Sequence, residues 1–333
     1  MPPALIKKID NIEPIKDADR IELAFVEGWQ VVIKKNEFKI NDLCIYVEID
    51  SLVDSENSYF EFLRERHFRV RSIKLKKCLS QGLILPMSLL PEGEYNIEDD
   101  VSELLNIQHY ERALDHSLNG IAKGNFPSFI SKTDETMIQS VKAVLSEING
   151  FPYYISTKID GTSATYFYHD IKGYGACSRR LELCEGDGVY WRMGVKYDLV
   201  NKLKKYYDDH SIYLTIQGEI AGPGIQKNRL ELKDHELFVF NAFDIKEGKY
   251  FNYDELKRVC NELNLTMVPI EEEGEYFDYT LEELLNKSKG NYFSGKLKEG
   301  IVIRPKYEMY SDRLHGRLSF KVINNDFALS KES

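Results

Sequence analysis

The sequence predicts an α+β fold, with a small β-barrel ahead of a larger mixed region. Three observations carry that expectation. The first hundred residues hold several short β-rich runs separated by turns, with no long periodic helix. From about Val101 to Asn125 the pattern loosens, with mixed polarity and glycines at 120 and 124. Beyond that stretch, strands and helices mix without the strict alternation of a parallel sheet. At 333 residues the chain is long for one domain and comfortable for two. The expected organisation is a strand-rich domain over 1–105, a linker over 106–125 and a mixed domain over 126–333.

The elements follow in order. Residues 22–26 and 29–34 are β-rich and flank Gly28, which marks a turn. Residues 43–49 form a third run, and 68–75 a fourth, leading into Ser80-Gln81-Gly82 and the apolar stretch to Pro86. After the linker, Ser131-Lys132-Thr133-Asp134-Glu135 reads as a helix start with acids in its first turn, and the helix runs to about Ile148. Strands are expected over 153–157, 163–168, 212–217, 237–245 and 300–304. Helices are expected over 191–207, 253–263 and 281–287.

Composition excludes several classes. The formal charge of -10 and pI near 5.4 rule out an indiscriminately basic nucleic-acid coat, although a local basic groove remains compatible with them. The five cysteines include no C-x-x-C pair and no cysteine-histidine cluster of zinc-finger spacing. They are expected as reduced thiols of a cytoplasmic-type protein. The N-terminus lacks a signal-peptide stretch, and no run of about 18 apolar residues occurs. The expectation is an intracellular, soluble chain with no membrane association.

Chemistry concentrates in an ordered series of short segments. Ser156-Thr157-Lys158-Ile159-Asp160-Gly161 places an amine, a carboxylate and a glycine within four residues, where a strand enters a turn. A lysine so held can attack phosphorus and form a covalent lysyl–nucleotide bond. Downstream come Ser178-Arg179-Arg180, and then Gln217-Gly218-Glu219 ahead of a glycine-rich loop. Phe240-Asn241-Ala242-Phe243-Asp244 sets aromatics beside an acid. Glu299-Gly300-Ile301-Val302-Ile303-Arg304-Pro305 offers a second strand-edge carboxylate, and Ser319-Phe320-Lys321-Val322 a second lysine.

The ordered set resembles the motifs of covalent nucleotidyltransferases, the superfamily of ATP-dependent ligases and mRNA capping enzymes. More narrowly, it resembles the Deinococcus- and Naegleria-type RNA ligases, the fifth RNA-ligase family, over nearly the whole chain. That resemblance implies an N-terminal oligonucleotide-binding (OB-fold) barrel and a nucleotidyltransferase domain of antiparallel sheets with flanking helices. It implies ATP as AMP donor, Mg²⁺ or Mn²⁺, and RNA with 3′-hydroxyl and 5′-phosphate ends as partner. The chain is expected to be a monomer. Lys158 becomes the nucleophile, and Asp160, Glu219 and Glu299 the metal carboxylates. Arg179 contacts ribose or phosphate, Phe243 stacks on adenine, and Lys321 steadies the α-phosphate. Glu219 also matches the carboxylate that relatives use on the ribose hydroxyl. Three positions depart from the family pattern: Met137 where an arginine is usual, Thr157 where an acid often precedes the lysine, and Ile323 where many RNA ligases carry a further lysine.

The residue types suit that chemistry. A free lysine amine has a pKa near 10.4, and bringing it to roughly 7–8 takes about 4 kcal/mol of bias against the ammonium. Hard cations want oxygen ligands, which the three carboxylates supply. Only 12 residues follow Lys321 in this sequence, so a DNA ligase with its barrel after that lysine is not expected. Two further readings share the motif set: a non-ligating RNA-end-binding relative, and another covalent nucleotidyltransferase such as a capping guanylyltransferase or DNA-joining enzyme.

A basic cluster stands apart from these motifs. Arg64, Arg66, Arg69, Arg71, Lys74, Lys76 and Lys77 fall within 14 residues of an otherwise acidic chain. On a barrel strand they form a phosphate-tracking groove, with Arg69, Arg71, Lys74 and Lys76 its expected nucleic-acid contacts. The acidic run Glu271-Glu272-Glu273 reads as a solvated loop.

Overall fold

A two-residue turn with positive φ at both positions, Glu27 at 49° and Gly28 at 88°, folds Ile21–Val26 back onto Trp29–Lys34. Such left-handed pairs match the natural twist of a tight hairpin. Asn11–Pro14 extends the hairpin to three strands, while Ala4–Lys8, Leu43–Val47 and Leu83–Pro86 form a second three-stranded sheet. The structure, a computed structural model, describes residues 2–110 and 121–331. Residues 111–120 of the expected linker lie outside the described residues.

Chain contacts divide the molecule into two units, Met1–Ala113 with Asn325–Ser333, and Leu114–Asn324. In the first, Ile6, Ile45, Val47, Phe60, Val70 and Leu85 belong to one apolar core. Trp29 is 2% exposed and stacks on Tyr46 at 6.0 Å. The expected strand over 68–75 is shorter than the sequence suggests. Ser58–Arg66 forms a 3-10 helix, and His67 and Phe68 after it adopt φ of 53° and 58°. That left-handed pair breaks the extended run, leaving Ile73–Leu75 to pair with Cys78–Ser80.

The second unit contains two sheets. The larger runs Ala122–Asn125, Leu181–Leu183, Gly173–Cys177, Thr162–His169, Leu214–Ala221, Glu236–Asp244 and Lys249–Tyr250, with Thr266–Met267 beside Glu236–Asp244. Helices Val189–Lys196, Leu199–His210 and Tyr253–Glu262 contribute Met193, Leu203, Tyr206, Leu256 and Val259 to the core on one of its faces. Residues 191–207 are therefore not one helix: Asp198, at φ 52°, separates two. The smaller sheet orders Thr136–Met137, Phe320–Ile323, Gly300–Pro305, Tyr153–Lys158 and Ile270–Gly274. Its core joins Ile155, Ile301, Ile303, Phe320 and Val322 with Leu281 and Leu284 of helix Leu281–Lys287.

Two expectations fail here for the same reason. The helix expected over 131–148 is replaced by strand Thr136–Met137, two 3-10 turns and the short helix Leu145–Ile148. Its supposed first-turn acids bond elsewhere, Asp134 to Arg179 and Glu135 to Arg304. The acidic run Glu271-Glu272-Glu273 is not a loop but the edge strand beside Tyr153–Lys158. Its charges are matched: Glu271 by Lys298, Glu272 by Lys287 and Glu273 by Lys306.

Candidate active site

Strand Tyr153–Lys158 of the smaller sheet passes through Ile159, Asp160 and Gly161 directly into Thr162–His169 of the larger. The lysine segment is thus the crossing between the two sheets. Gly161 is required there, because a Cβ would meet the Ile220 carbonyl at 2.3 Å and the Glu219 side chain at 2.8 Å. The close approach brings Glu219, inside strand Leu214–Ala221, to the crossing. Gly300 plays the matching part opposite Lys158: at φ 153°, its Cβ would lie 2.1 Å from the Val322 carbonyl.

The Lys158 amine donates to the Glu299 carboxylate at 3.1 Å, and both side chains are mostly buried. Burial opposes the ammonium charge, but Glu299, Glu219 and Asp160 outweigh it and hold the lysine above its ordinary range. Burial pushes Glu219 up to about 7, with Glu299 and Asp160 adding to it against the pull of Lys158. Lys321, in ladder register with Val302 and Met137, is pushed down to about 8 by burial and then by Lys158. Arg179 acts on both Glu219 and Lys321, and pairs with Asp134 at 2.6 Å.

Lys158, Asp160, Glu219, Glu299, Lys321 and Arg179 are therefore brought within electrostatic reach of one another. Among the described residues, no three Asp, Glu, His or Cys side chains already form a metal cage. The donor chemistry nonetheless fits a divalent cation. Three oxygen donors crowd one amine, and their mutual repulsion adds to burial in raising Glu219.

Phe243 stands apart. It pairs with Thr215, four residues along the strand from Glu219, whose own partner is Phe238; at about 3.3 Å per residue that is roughly 13 Å. It is 3% exposed and packed with Phe126, Ile130, Phe167 and Cys177. Two aromatics of the same strand, Phe238 and Phe240, pack against the cluster that holds Ile159 and Tyr292. A bulge between Gln217 and Gly218 changes the register between these aromatics, and the sequence gives no sign of it.

Several contacts around the site were not visible in the sequence. Arg304 donates to Glu135 at 2.7 Å, to Ser319 at 2.8 Å and to the Phe240 carbonyl at 2.8 Å. Thr157 donates to Glu271 at 2.9 Å, and Lys298 closes that pair at 2.5 Å. Arg229 lies 3.5 Å from Asp160. A polar cavity of about 250 Å³ has Thr133, Asp134, Glu135, Asn241 and Arg317 in its wall. Arg304 sits in a motif visible in the sequence, but its partner Glu135 lies 169 residues away.

In the first unit, Arg71, Lys74 and Lys76 are exposed and form no ion pair among the described residues. Arg69 is committed, pairing with Asp50 at 2.6 Å and lying 3.8 Å over the Tyr110 ring. Lys76 and Lys77 form the tip of their hairpin at φ 47° and 68°. Among the described residues, no helix is long and apolar enough to cross a membrane.

Residues 151–323 match a family model described as RNA ligase, and residues 4–87 match one described as an OB-fold domain. No match is found among curated proteins. Among solved structures, a point mutant of the Naegleria gruberi RNA ligase with ATP and Mn superposes at a TM-score of 0.82 and 32% identity, covering 99% of this chain and 98% of that one. Another mutant with AMP and Mn reaches 0.83 at 32% identity over 99% of both chains. The same ligase with PPi gives 0.82 and 32%, over 99% of this chain and 98% of that one.

Proposed function

The chain belongs to the RNA ligase family, and from that premise we propose how its own residues carry the reaction. It is an ATP-dependent RNA ligase, with an OB-fold domain followed by a sheet-rich nucleotidyltransferase domain. It uses ATP with Mn²⁺ or Mg²⁺ and acts on RNA.

Lys158 Nζ attacks the α-phosphorus of ATP, the bond to the β-phosphate breaks, and pyrophosphate leaves. The amine must first lose a proton, and Glu299 is its hydrogen-bonded carboxylate. Lys321, pushed down to about 8 by burial, gains its full charge beside a phosphate and steadies the α-phosphate. Arg179 holds ribose or phosphate, and the half-buried Phe240 beside Ile159 takes the adenine-facing place first expected of Phe243. Asp160, Glu219 and Glu299 hold the divalent cation, directly or through water. That cation, when bound, draws carboxylate charge away from Lys158 and polarises the phosphate. The RNA 5′-phosphate then takes AMP from Lys158, and a 3′-hydroxyl displaces the AMP to seal the strand.

The single observation behind this reading is Lys158 at the sheet crossing, ringed by three carboxylates. We further read the substrate as a break with 3′-hydroxyl and 5′-phosphate RNA ends, sealed in repair. One chain carries every motif, which supports a monomer, and its five free cysteines support a reducing, cytoplasmic setting. The deciding experiment incubates the chain with ATP labelled at the α-phosphate and Mg²⁺ or Mn²⁺, after pyrophosphate stripping, followed by denaturing electrophoresis. A labelled band is expected, lost in Lys158→Ala and not formed from γ-labelled ATP. No band with either metal would sink the assignment of Lys158.

A further inference from the structure

Lys158 and Gly300 are the last paired residues of the ladder between Tyr153–Lys158 and Gly300–Pro305. Asp160 and Glu299 lie just beyond that end, where the ladder offers their backbone N–H groups no partner. One side chain takes the ladder's place. The Tyr292 hydroxyl accepts from the Asp160 N–H at 2.9 Å and from the Glu299 N–H at 3.0 Å, and donates to the Lys158 carbonyl at 2.7 Å. A phenol hydroxyl has one proton and two lone pairs, so these three bonds saturate it.

The phenol is itself held. Tyr292 is 6% exposed and packs with Ile159, Ala221, Leu230 and Val268. Its own N–H donates to the Lys296 carbonyl at 2.8 Å, and its carbonyl accepts from Gly295 at 2.9 Å. The oxygen is therefore a fixed point, and three backbone groups are referred to it. Those groups belong to the nucleophile and to two of the three carboxylates that surround it.

We propose that Tyr292 is a positioning residue for nucleotidyl transfer, setting where Lys158 stands relative to Asp160 and Glu299. The proposal rests on the ligase reading of Lys158. Its physical basis is the steep distance dependence of attack: a displacement of about 1 Å costs roughly 100-fold in rate. Losing the hydroxyl frees three backbone points at once without removing any side chain that touches ATP. Tyr292 acts on the approach of the amine, and not on the capture of the nucleotide.

The test is single-turnover formation of lysyl-AMP by the full chain, comparing wild type with Tyr292→Phe, which keeps the ring and its packing. The expected result is a rate constant at saturating ATP that falls by roughly 10- to 100-fold. The ATP concentration for half-maximal rate should stay within about 3-fold, because binding groups are untouched. A first-order rate constant counts only folded molecules, so partial misfolding lowers the amplitude and leaves the comparison valid. An unchanged rate constant with reduced amplitude would show Tyr292 to be structural only and overturn the inference. So would a large rise in half-saturating ATP with an unchanged maximal rate. Label on wild type with unaltered Tyr292→Phe kinetics removes this inference alone, whereas no label on wild type removes the ligase reading together with it.

Discussion

The Lys158 amine and the Glu299 carboxylate meet at 3.1 Å across 141 residues of chain, and their contact keeps the proposed nucleophile charged. Burial works against that charge, but Glu299, Glu219 and Asp160 together prevail. In the absence of substrate the site therefore stores Lys158 as an ammonium, which cannot attack. On the proposed mechanism, activation requires that the carboxylate charge be directed elsewhere, as a divalent cation on those oxygens would do.

Glu299→Gln should accordingly have two opposite effects. In metal-free protein, Lys158 should titrate lower than in wild type, as read by NMR of labelled lysine, because its nearest counter-charge is gone. Lysyl-AMP formation should nonetheless fall by about 10²–10³-fold, the usual scale for losing one electrostatic group at a reacting centre. Chelation of divalent ions should abolish labelling of wild type. A variant that labels faster than wild type would show that Glu299 only restrains the lysine.

The Glu135–Arg304 pair should govern acid stability. Burial disfavours the Glu135 carboxylate, but Arg304 and Ser319 outweigh it and hold the group below its ordinary 4.5. A depressed carboxyl stabilises the fold above that ordinary value, and the contribution is lost as pH falls through the folded one. Glu135→Gln leaves the 2% exposed Arg304 without its charge partner, at a cost of about 3–5 kcal/mol. Urea midpoints should show that loss at neutral pH and a shrinking difference between the two proteins below the ordinary carboxyl range. A difference independent of pH would remove the ion pair as its cause.

Local signals in the sequence were reliable where local chemistry decides structure. Asn252 and Thr280 begin helices with reciprocal capping by Glu255 and Glu283, and the helices expected at 253–263 and 281–287 lie within a residue of those found. The carboxylates and lysines of the site stand on or beside strands, and six of the expected residues converge. What stayed hidden depends on partners far along the chain. Asp134 and Glu135 look like first-turn helix acids because nothing nearby reveals Arg179 and Arg304. Glu271 to Glu273 look like a loop because the strand they pair with and the lysines that match them are distant in sequence, although Glu271 and Glu273 are exposed as expected. Tyr292 is one tyrosine among 21, and only the end of a ladder makes its hydroxyl useful.

The exposed cations of the first unit should act on RNA and not on ATP. Replacing Arg71, Lys74 and Lys76 together by alanine removes three charges that have no counter-charge among the described residues. Each phosphate contact contributes about 0.7–0.9 to the slope of log affinity against log salt, so the slope should lessen by roughly 2 in filter binding to RNA. Lysyl-AMP formation should be unchanged. Arg69→Ala should also destabilise the unit, since that side chain covers Tyr110 and pairs with Asp50. An unaltered salt slope in the triple variant would place the RNA contact elsewhere.

Phe240 and Phe243 should separate nucleotide binding from stability. Phe243 fills a cluster with Phe126, Phe167 and Cys177 and meets Tyr250 edge-on at 5.1 Å, so Phe243→Ala creates a cavity costing about 3–5 kcal/mol. Its effect on half-saturating ATP should be small once the folded fraction is taken into account. Phe240 is half-buried against the cluster that holds Ile159 and Tyr292, and Phe240→Ala removes an aromatic face near the proposed nucleophile. A base–aromatic stack is worth about 1–3 kcal/mol, so ATP affinity should weaken by roughly 5- to 150-fold. Thermal melts and the ATP dependence of single-turnover labelling distinguish the two variants. Should Phe243→Ala weaken ATP and Phe240→Ala leave it untouched, adenine must reach deeper along the strand than the ladder register implies. The apolar cluster over Phe243 would then have to open for it.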